Sequence, residues 1–192
     1  PDHTIANGVM KYMLEKGDSY KIRFINRLDM DTSGILVIGK DSHAQDSFMK
    51  QMKGKTITKK YIAIVKGTFK EKEGTIDLPI GRPDPDDVRR AVTPDGAKST
   101  TKYTVKEEFK EHTLLELTIE TGRTHQIRVH MAHIGHPVLS DSLYDTEDPL
   151  IARQALHAKY LAFNHPKTGE RMEIEAPLPD DMKEAIERLR GS

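Results

Sequence analysis

Residues 115–120 alternate strictly between apolar and polar: Leu115, Leu117 and Ile119 against Glu116, Thr118 and Glu120. Only an extended chain sends successive side chains to opposite faces, so the segment predicts a strand half buried in a core. Tyr103 and Val105 alternate with polar residues in the same way. Tyr61–Val65 is apolar without alternation and predicts a central strand; Ile35–Ile38, after Gly34, predicts a short buried one. Further strands are expected near 156–163 and 171–175. Helical spacing appears over residues 4–16 (Ile5, Val9, Tyr12, Met13, then Gly17 as a stop) and in Ala44, Phe48 and Met52 after an Asp41 cap. It returns at about 125–134 and in Met182, Ala185, Ile186 and Leu189. The segment from Pro79 to Gly96 is rich in proline, glycine and aspartate and reads as a long loop. Helices flanking a run of mostly adjacent strands predict an α+β fold with a largely antiparallel sheet.

A chain of 192 residues fits one domain, and no linker or repeat divides it. Without cysteine it has no disulfides, cysteine nucleophile or thiolate metal site, which fits a reducing compartment. Lys plus Arg equal Asp plus Glu at 30 each, so any nucleic-acid site would have to come from local charge, as in Lys50, Lys53, Lys55, Lys59 and Lys60. An acidic run follows at Asp84, Asp86 and Asp87. A solvated face is the plain alternative for the lysines. No apolar run approaches the roughly 18 residues of a membrane span. The first residue is Pro1, so an N-terminal truncation is expected.

Three segments carry chemistry. Arg27-Leu28-Asp29-Met30-Asp31-Thr32-Ser33-Gly34 is a polar loop before a buried run. Its Asp29 has the chemistry of a nucleophile, a general base or a metal ligand, or it simply bonds the backbone of a turn. Lys59-Lys60-Tyr61 opens an aliphatic strand, where Tyr61 is either a base-stacking platform or a core aromatic. Thr121-Gly122-Arg123-Thr124-His125-Gln126-Ile127-Arg128 follows the alternating strand, and its arginines suit phosphate or carboxylate. Thr124 to Gln126 stand where helix N–H groups favour anions, and a capped helix with surface arginines is the alternative. Histidines 125, 130, 133 and 136 raise the question of a metal, but they lack the H-E-x-x-H arrangement, and zinc nucleobase deaminases require cysteine.

Together these segments resemble the RluA-like family of pseudouridine synthases. RLDMDTSG at 27–34, KKYIAIVKG at 59–67 and TGRTHQIRVHMAHIGHPVLSD at 121–141 look like its three motifs, and LHAKYLAFNHPKTGE at 156–170 looks like its C-terminal strand. The likeness covers nearly the whole chain in the family's order. Asn26 departs from the usual histidine before the arginine.

The resemblance implies a central, mostly antiparallel mixed sheet flanked by helices, with a catalytic cleft across it, as one catalytic domain over 1–192. It implies an enzyme that turns uridine in RNA into pseudouridine. Asp29 would be catalytic and Asp31 a variable position. Tyr61 would stack on the base, and Arg123 would pair with and orient Asp29. Arg27 would stand at the RNA-facing rim, Ile127 would line the pocket, and Arg128, Lys59 and Lys60 would meet RNA. Neither a cofactor nor a metal is implied. The expected partner is RNA, ribosomal rather than transfer RNA, for a cytoplasmic monomer without the upstream RNA-binding domain of many relatives. An RNA-binding module without activity and a metal-dependent hydrolase are the rival readings.

Overall fold

The computed structural model describes residues 4–191. In chain order the elements are α1 (Ile5–Lys16), β1 (Arg23–Phe24), β2 (Ser33–Gly34), β3 (Ile38–Gly39), α2 (Ser42–Lys53), β4 (Thr58–Lys66), β5 (Glu73–Asp77) and β6 (Ile80–Gly81). They continue as β7 (Ala91–Val92), β8 (Thr100–Glu108), β9 (His112–Ile119), α3 (Gln126–His133), β10 (Leu156–Asn164), β11 (Arg171–Glu175) and α4 (Asp180–Arg190). The chain divides into two compact units. One holds the residues up to Arg27 with 36–57 and 163–172; the other holds 28–35, 58–162 and the residues from Glu173 onward.

The larger unit is organised by β4. The sheet order is β11-β10-β4-β9-β8-β5, with β2 added to β10. β4 pairs antiparallel with both β10 and β9, whereas β2 runs parallel to β10, so the sheet is mixed. The unbroken apolar run in β4 has a direct cause: both of its faces are covered. Ala63 and Val65 join Leu115, Leu117, Ile119, Ile127 and Met131 in one core, on the side of α3. Ile62 and Ile64 join Met182, Ala185, Ile186 and Leu189 in the other, under α4. β9 alternates because its opposite face carries polar contacts such as Glu116 to Lys60, at 3.0 Å. Tyr61 packs against the α3-side core.

In the smaller unit, α1 begins at a capping box formed by Thr4 and Asn7 and ends at Gly17, in the left-handed conformation at φ 67°. Asp41 caps α2 by accepting from the Ala44 N–H at 2.7 Å. Phe48 of α2 meets Phe163 at 5.2 Å between centroids. The Gln51 amide exchanges two hydrogen bonds with the Asn164 backbone, at 2.8 and 2.7 Å.

Two expectations need correction. Ile35–Ile38 is not a buried strand: β2 ends at Gly34, β3 begins at Ile38, and all four residues are half-buried. The backbone groups of this run have different partners along its length. The Ile35 N–H donates to the Ala158 carbonyl at 3.0 Å, while the Val37 carbonyl accepts from the Ile25 N–H at 3.0 Å. The Val37 N–H donates to Asn26 Oδ1 at 2.6 Å, which gives the departing Asn26 a backbone-holding role. The segment 79–96 is not all loop: β6 and β7 form a small antiparallel hairpin within it.

Candidate active site

Asp29 stands in a loop held from below by β10 and the segment before it. Ser33 and Gly34 lie beside His157 and Ala158 in the parallel register of β2 with β10. Gly34 has φ 117°, and a Cβ there would sit 2.3 Å from the Ala158 carbonyl oxygen, so only glycine fits. Ser33 Oγ meets His157 Nδ1 at 2.9 Å. Arg153 donates to the Asp31 carbonyl at 3.0 Å and to Ser33 Oγ at 3.1 Å. Its guanidinium is itself gripped by Asp181 at the start of α4, at 2.7 and 3.0 Å. Gln154 Nε2 donates to the Met30 carbonyl and to Thr32 Oγ1. The loop turns through Asp31, whose φ of 66° is left-handed. Asp29 is thus displayed by a backbone with few remaining freedoms.

Arg128 approaches from α3. Its Nη1 lies 3.6 Å from Asp29 Oδ2, with the two side chains 4% and 23% exposed. The rest of the guanidinium is clamped in fork geometry by Asp141: Nε donates to Oδ2 at 2.7 Å and Nη2 to Oδ1 at 2.6 Å. Asp141 Oδ1 also accepts from the N–H groups of Leu143 and Tyr144. The Tyr144 ring lies 5.2 Å from the guanidinium carbon, within cation–π range. Burial opposes the charge of Arg128, yet Asp141 and Asp29 raise its pKa above the usual value.

Tyr61 lies within the field of the Asp29 carboxylate. Burial first, and the charge of Asp29 second, push its phenol up to about 12. The hydroxyl is therefore a neutral donor at neutral pH. Lys59, two residues earlier and so on the same face of β4, is largely desolvated, which lowers its ammonium pKa. Its Nζ lies 3.5 Å from where a Cβ on Gly122 would stand.

The structure redistributes several expected roles. Arg123 does not pair with Asp29; it is exposed, its Nε donates to the Lys98 carbonyl at 3.3 Å, and its N–H is held by Gln126 Oε1 at 3.1 Å. The pairing falls to Arg128, which is buried rather than RNA-facing, because its position in α3 points it at the loop and Asp141 supplies its second partner. Ile127 does not line an open pocket: it is 4% exposed and part of the α3-side core. Lys60 points to the other face, pairs with Glu116 and lies 5.7 Å from the Tyr160 ring centroid. Arg27 is exposed on the smaller unit. Asp141, Tyr144, Arg153 and Gln154 were not singled out in the sequence; the available signal was that an arginine on the inner face of a helix needs a buried carboxylate.

His130 and His136 serve the scaffold in separate places. His130 is buried between Thr101 Oγ1 at 2.9 Å and the Leu78 carbonyl at 3.0 Å. His136 meets the Lys66 carbonyl at 2.9 Å and stacks on Phe69 at 4.1 Å. His133 is exposed. Among the described residues no three His, Asp or Glu side chains gather as metal ligands.

Comparison with known proteins gives one answer. The RNA pseudouridylate synthase family profile matches residues 2–133. The RNA pseudouridine synthase YlyB of Bacillus subtilis (strain 168) is 46% identical over 97% of this chain and 63% of its own length. The ribosomal large subunit pseudouridine synthase D of Vibrio vulnificus (strain CMCP6) is 40% identical over 99% of this chain and 62% of its own. The chain thus spans under two thirds of the length of these curated relatives. The solved structure of human RNA pseudouridylate synthase domain containing 1 superposes with a TM-score of 0.76 at 27% identity, covering all of this chain and 88% of that one. A second human structure, domain containing 4, shares the fold at TM-score 0.79 and 22% identity, over 99% and 86% of the two chains. By sequence and by fold, the chain belongs to the RNA pseudouridylate synthase family, with the motifs of its RluA-like members.

Proposed function

We propose that this protein isomerises uridine in RNA to pseudouridine, with Asp29 as the catalytic carboxylate. The observation that carries this reading is the pairing of half-buried Asp29 with Arg128, itself fixed by buried Asp141. A carboxylate held this way keeps one orientation while a nucleoside approaches it. The reaction breaks the bond from C1′ to N1, rotates the uracil and joins C1′ to C5; N1 gains a proton and C5 loses one. No redox change or energy input is needed, so the reading calls for no cofactor or metal.

Asp29 has three routes: attack on C1′, attack on the base, or removal of the C2′ proton to give a glycal. The glycal route is the family expectation. Tyr61 supplies an aromatic face for the flipped base and a neutral hydroxyl, so it takes the C5 proton only after giving up its own. Flipping costs a few kcal/mol, which stacking on Tyr61 offsets. Lys59 and Arg123 are the proposed phosphate contacts. One chain supplies Asp29, Arg128 and Tyr61, which supports a monomer acting alone. Ribosomal RNA, in the cytoplasm, is the favoured substrate, because several relatives carry the name ribosomal large subunit pseudouridine synthase D.

The test is tritium release from RNA carrying 5-tritiated uridine. Asp29→Asn should abolish release while RNA binding persists. Release near the wild-type rate would end the catalytic claim for Asp29. Pseudouridine mapping in cells with and without the gene identifies the RNA.

A further inference from the structure

His125 is placed at a cost and does not repay it as a cap. Its φ of 56° and ψ of 21° are left-handed, a strained conformation for a non-glycine residue. It precedes α3 directly, yet its side chain makes no capping hydrogen bond. Instead Nδ1 lies 2.8 Å from the Tyr144 hydroxyl, with the rings edge to face at 5.7 Å.

A third residue bears on the direction of that bond. The Arg90 N–H, beside β7, donates to the Tyr144 hydroxyl oxygen at 2.8 Å. A backbone N–H only donates, so the Tyr144 oxygen accepts there and has one hydrogen to give. Among the described residues His125 Nδ1 is the acceptor that meets it. The imidazole hydrogen is then on Nε2. The ring is half-buried, within the field of Asp29, Arg128, Asp141 and Arg90.

We propose that the relay from Arg90 through Tyr144 holds His125 as the neutral Nε2–H tautomer, and that this N–H donates to a carbonyl oxygen of the flipped uracil. The donor role rests on the proposed reaction; the relay does not. Chemistry favours a base carbonyl over a phosphate. Asp29 would repel a phosphate, and a neutral donor is a poorer partner for it than nearby Lys59 or Arg123. A neutral donor also leaves the charge of Asp29 unmatched except by Arg128. Burial is the main cause that lowers the His125 pKa, and the charges of Arg128 and Arg90 act in the same direction.

Nitrogen-15 NMR of the histidine rings tests the relay without any substrate. Wild-type His125 should show an unprotonated Nδ1 and a protonated Nε2, and Tyr144→Phe should give a mixture of tautomers. A protonated Nδ1 in the wild type, or an unchanged ring in Tyr144→Phe, overturns the relay. Tritium release from a large-subunit ribosomal RNA transcript tests the donor. His125→Ala should lower kcat/KM about tenfold, and His125→Gln, which carries an amide N–H, should recover most of it. Equal activity of both variants with wild type, or equal loss in both at unchanged urea midpoints, overturns the donor role. A wild-type enzyme silent on this transcript counts against the proposed reaction and the donor with it, while the tautomer still decides the relay.

Discussion

Arg128 reaches Asp29 with one nitrogen at 3.6 Å while its other two nitrogens are locked on Asp141 at 2.7 and 2.6 Å. The shorter contacts belong to the buried clamp and the longer one to the exposed-side carboxylate. Asp141 therefore sets where the guanidinium points, and Asp29 receives a charge whose position it does not determine. Asp29 Oδ2 is left able to serve a substrate, since a tight fork with Arg128 would occupy it.

Asp141→Asn should separate orientation from charge. The variant retains Arg128 and Asp29 but weakens the fork that aims the guanidinium. Breaking a buried pair costs about 3–5 kcal/mol, and the retained amide oxygen brings the expected loss to the lower end of that range. Urea unfolding measures the loss, and kcat for tritium release should fall at least about tenfold with KM little changed. Wild-type kcat in a folded Asp141→Asn would show that Asp29 needs no oriented partner.

Tyr61 offers a spectroscopic check. Its phenol is raised from 10.0 to about 12, mainly by burial. Between these values the unfolded chain has released the proton and the folded one retains it, so stability falls as pH rises from 10 toward 12. The tyrosinate absorbance lost in Tyr61→Phe should titrate late in the wild type, and the alkaline loss of stability should be smaller in the variant. Activity of Tyr61→Phe should drop, while Tyr61→Ala should weaken RNA binding further by removing the ring.

The sheet was legible in the sequence where its period was clean. Leu115, Leu117 and Ile119 alternate because one face of β9 meets the core, and the β4 run is unbroken because α3 and α4 cover both of its faces. Ile35–Ile38 misled because composition does not show which partner takes each backbone group. Their motifs nominate Asp29 and Tyr61. The choice between Arg123 and Arg128 was not legible, since both fit a carboxylate chemically. It is made by the turn into α3, which leaves Arg123 exposed and swings Arg128 inward beneath the loop. Asp141 closes the same motif, but nothing in its spacing from Arg128 shows that the chain turns back to clamp the guanidinium, and Tyr144 lies just beyond the motif.

Gly34→Ala should disturb the Asp29 loop without touching the carboxylate. The new Cβ would stand 2.3 Å from the Ala158 carbonyl oxygen on a backbone at φ 117°. Neither strand has a flexible side chain to move aside, so β2 must leave β10. Roughly 1–3 kcal/mol of strain is expected, with a loss of activity larger than the loss of stability explains. Parallel urea curves and kcat values check this; a variant as active as wild type would mean that β2 pairing does not position Asp29.

The buried His130 predicts how the fold responds to acid. Its Nε2 faces the Leu78 carbonyl, so the hydrogen is on that nitrogen, and Nδ1 accepts from Thr101 Oγ1. Thr101 gives its one hydrogen there while its oxygen accepts from Gln126 Nε2 at 3.0 Å. A second proton would need a new acceptor for Nδ1, and burial lowers the pKa of the ring below its ordinary 6.5. Below that value the unfolded chain binds a proton that the folded chain refuses, so stability falls as pH drops until the folded ring also titrates. His130→Gln supplies an amide with one donor and one acceptor and does not titrate. Its unfolding free energy should be lower than wild type at neutral pH, through imperfect packing, yet less dependent on pH in the acid range. Urea midpoints at several pH values below 6.5 measure the two slopes. Equal slopes would assign the acid sensitivity to His125 and His157, whose rings are also held below their ordinary value by burial.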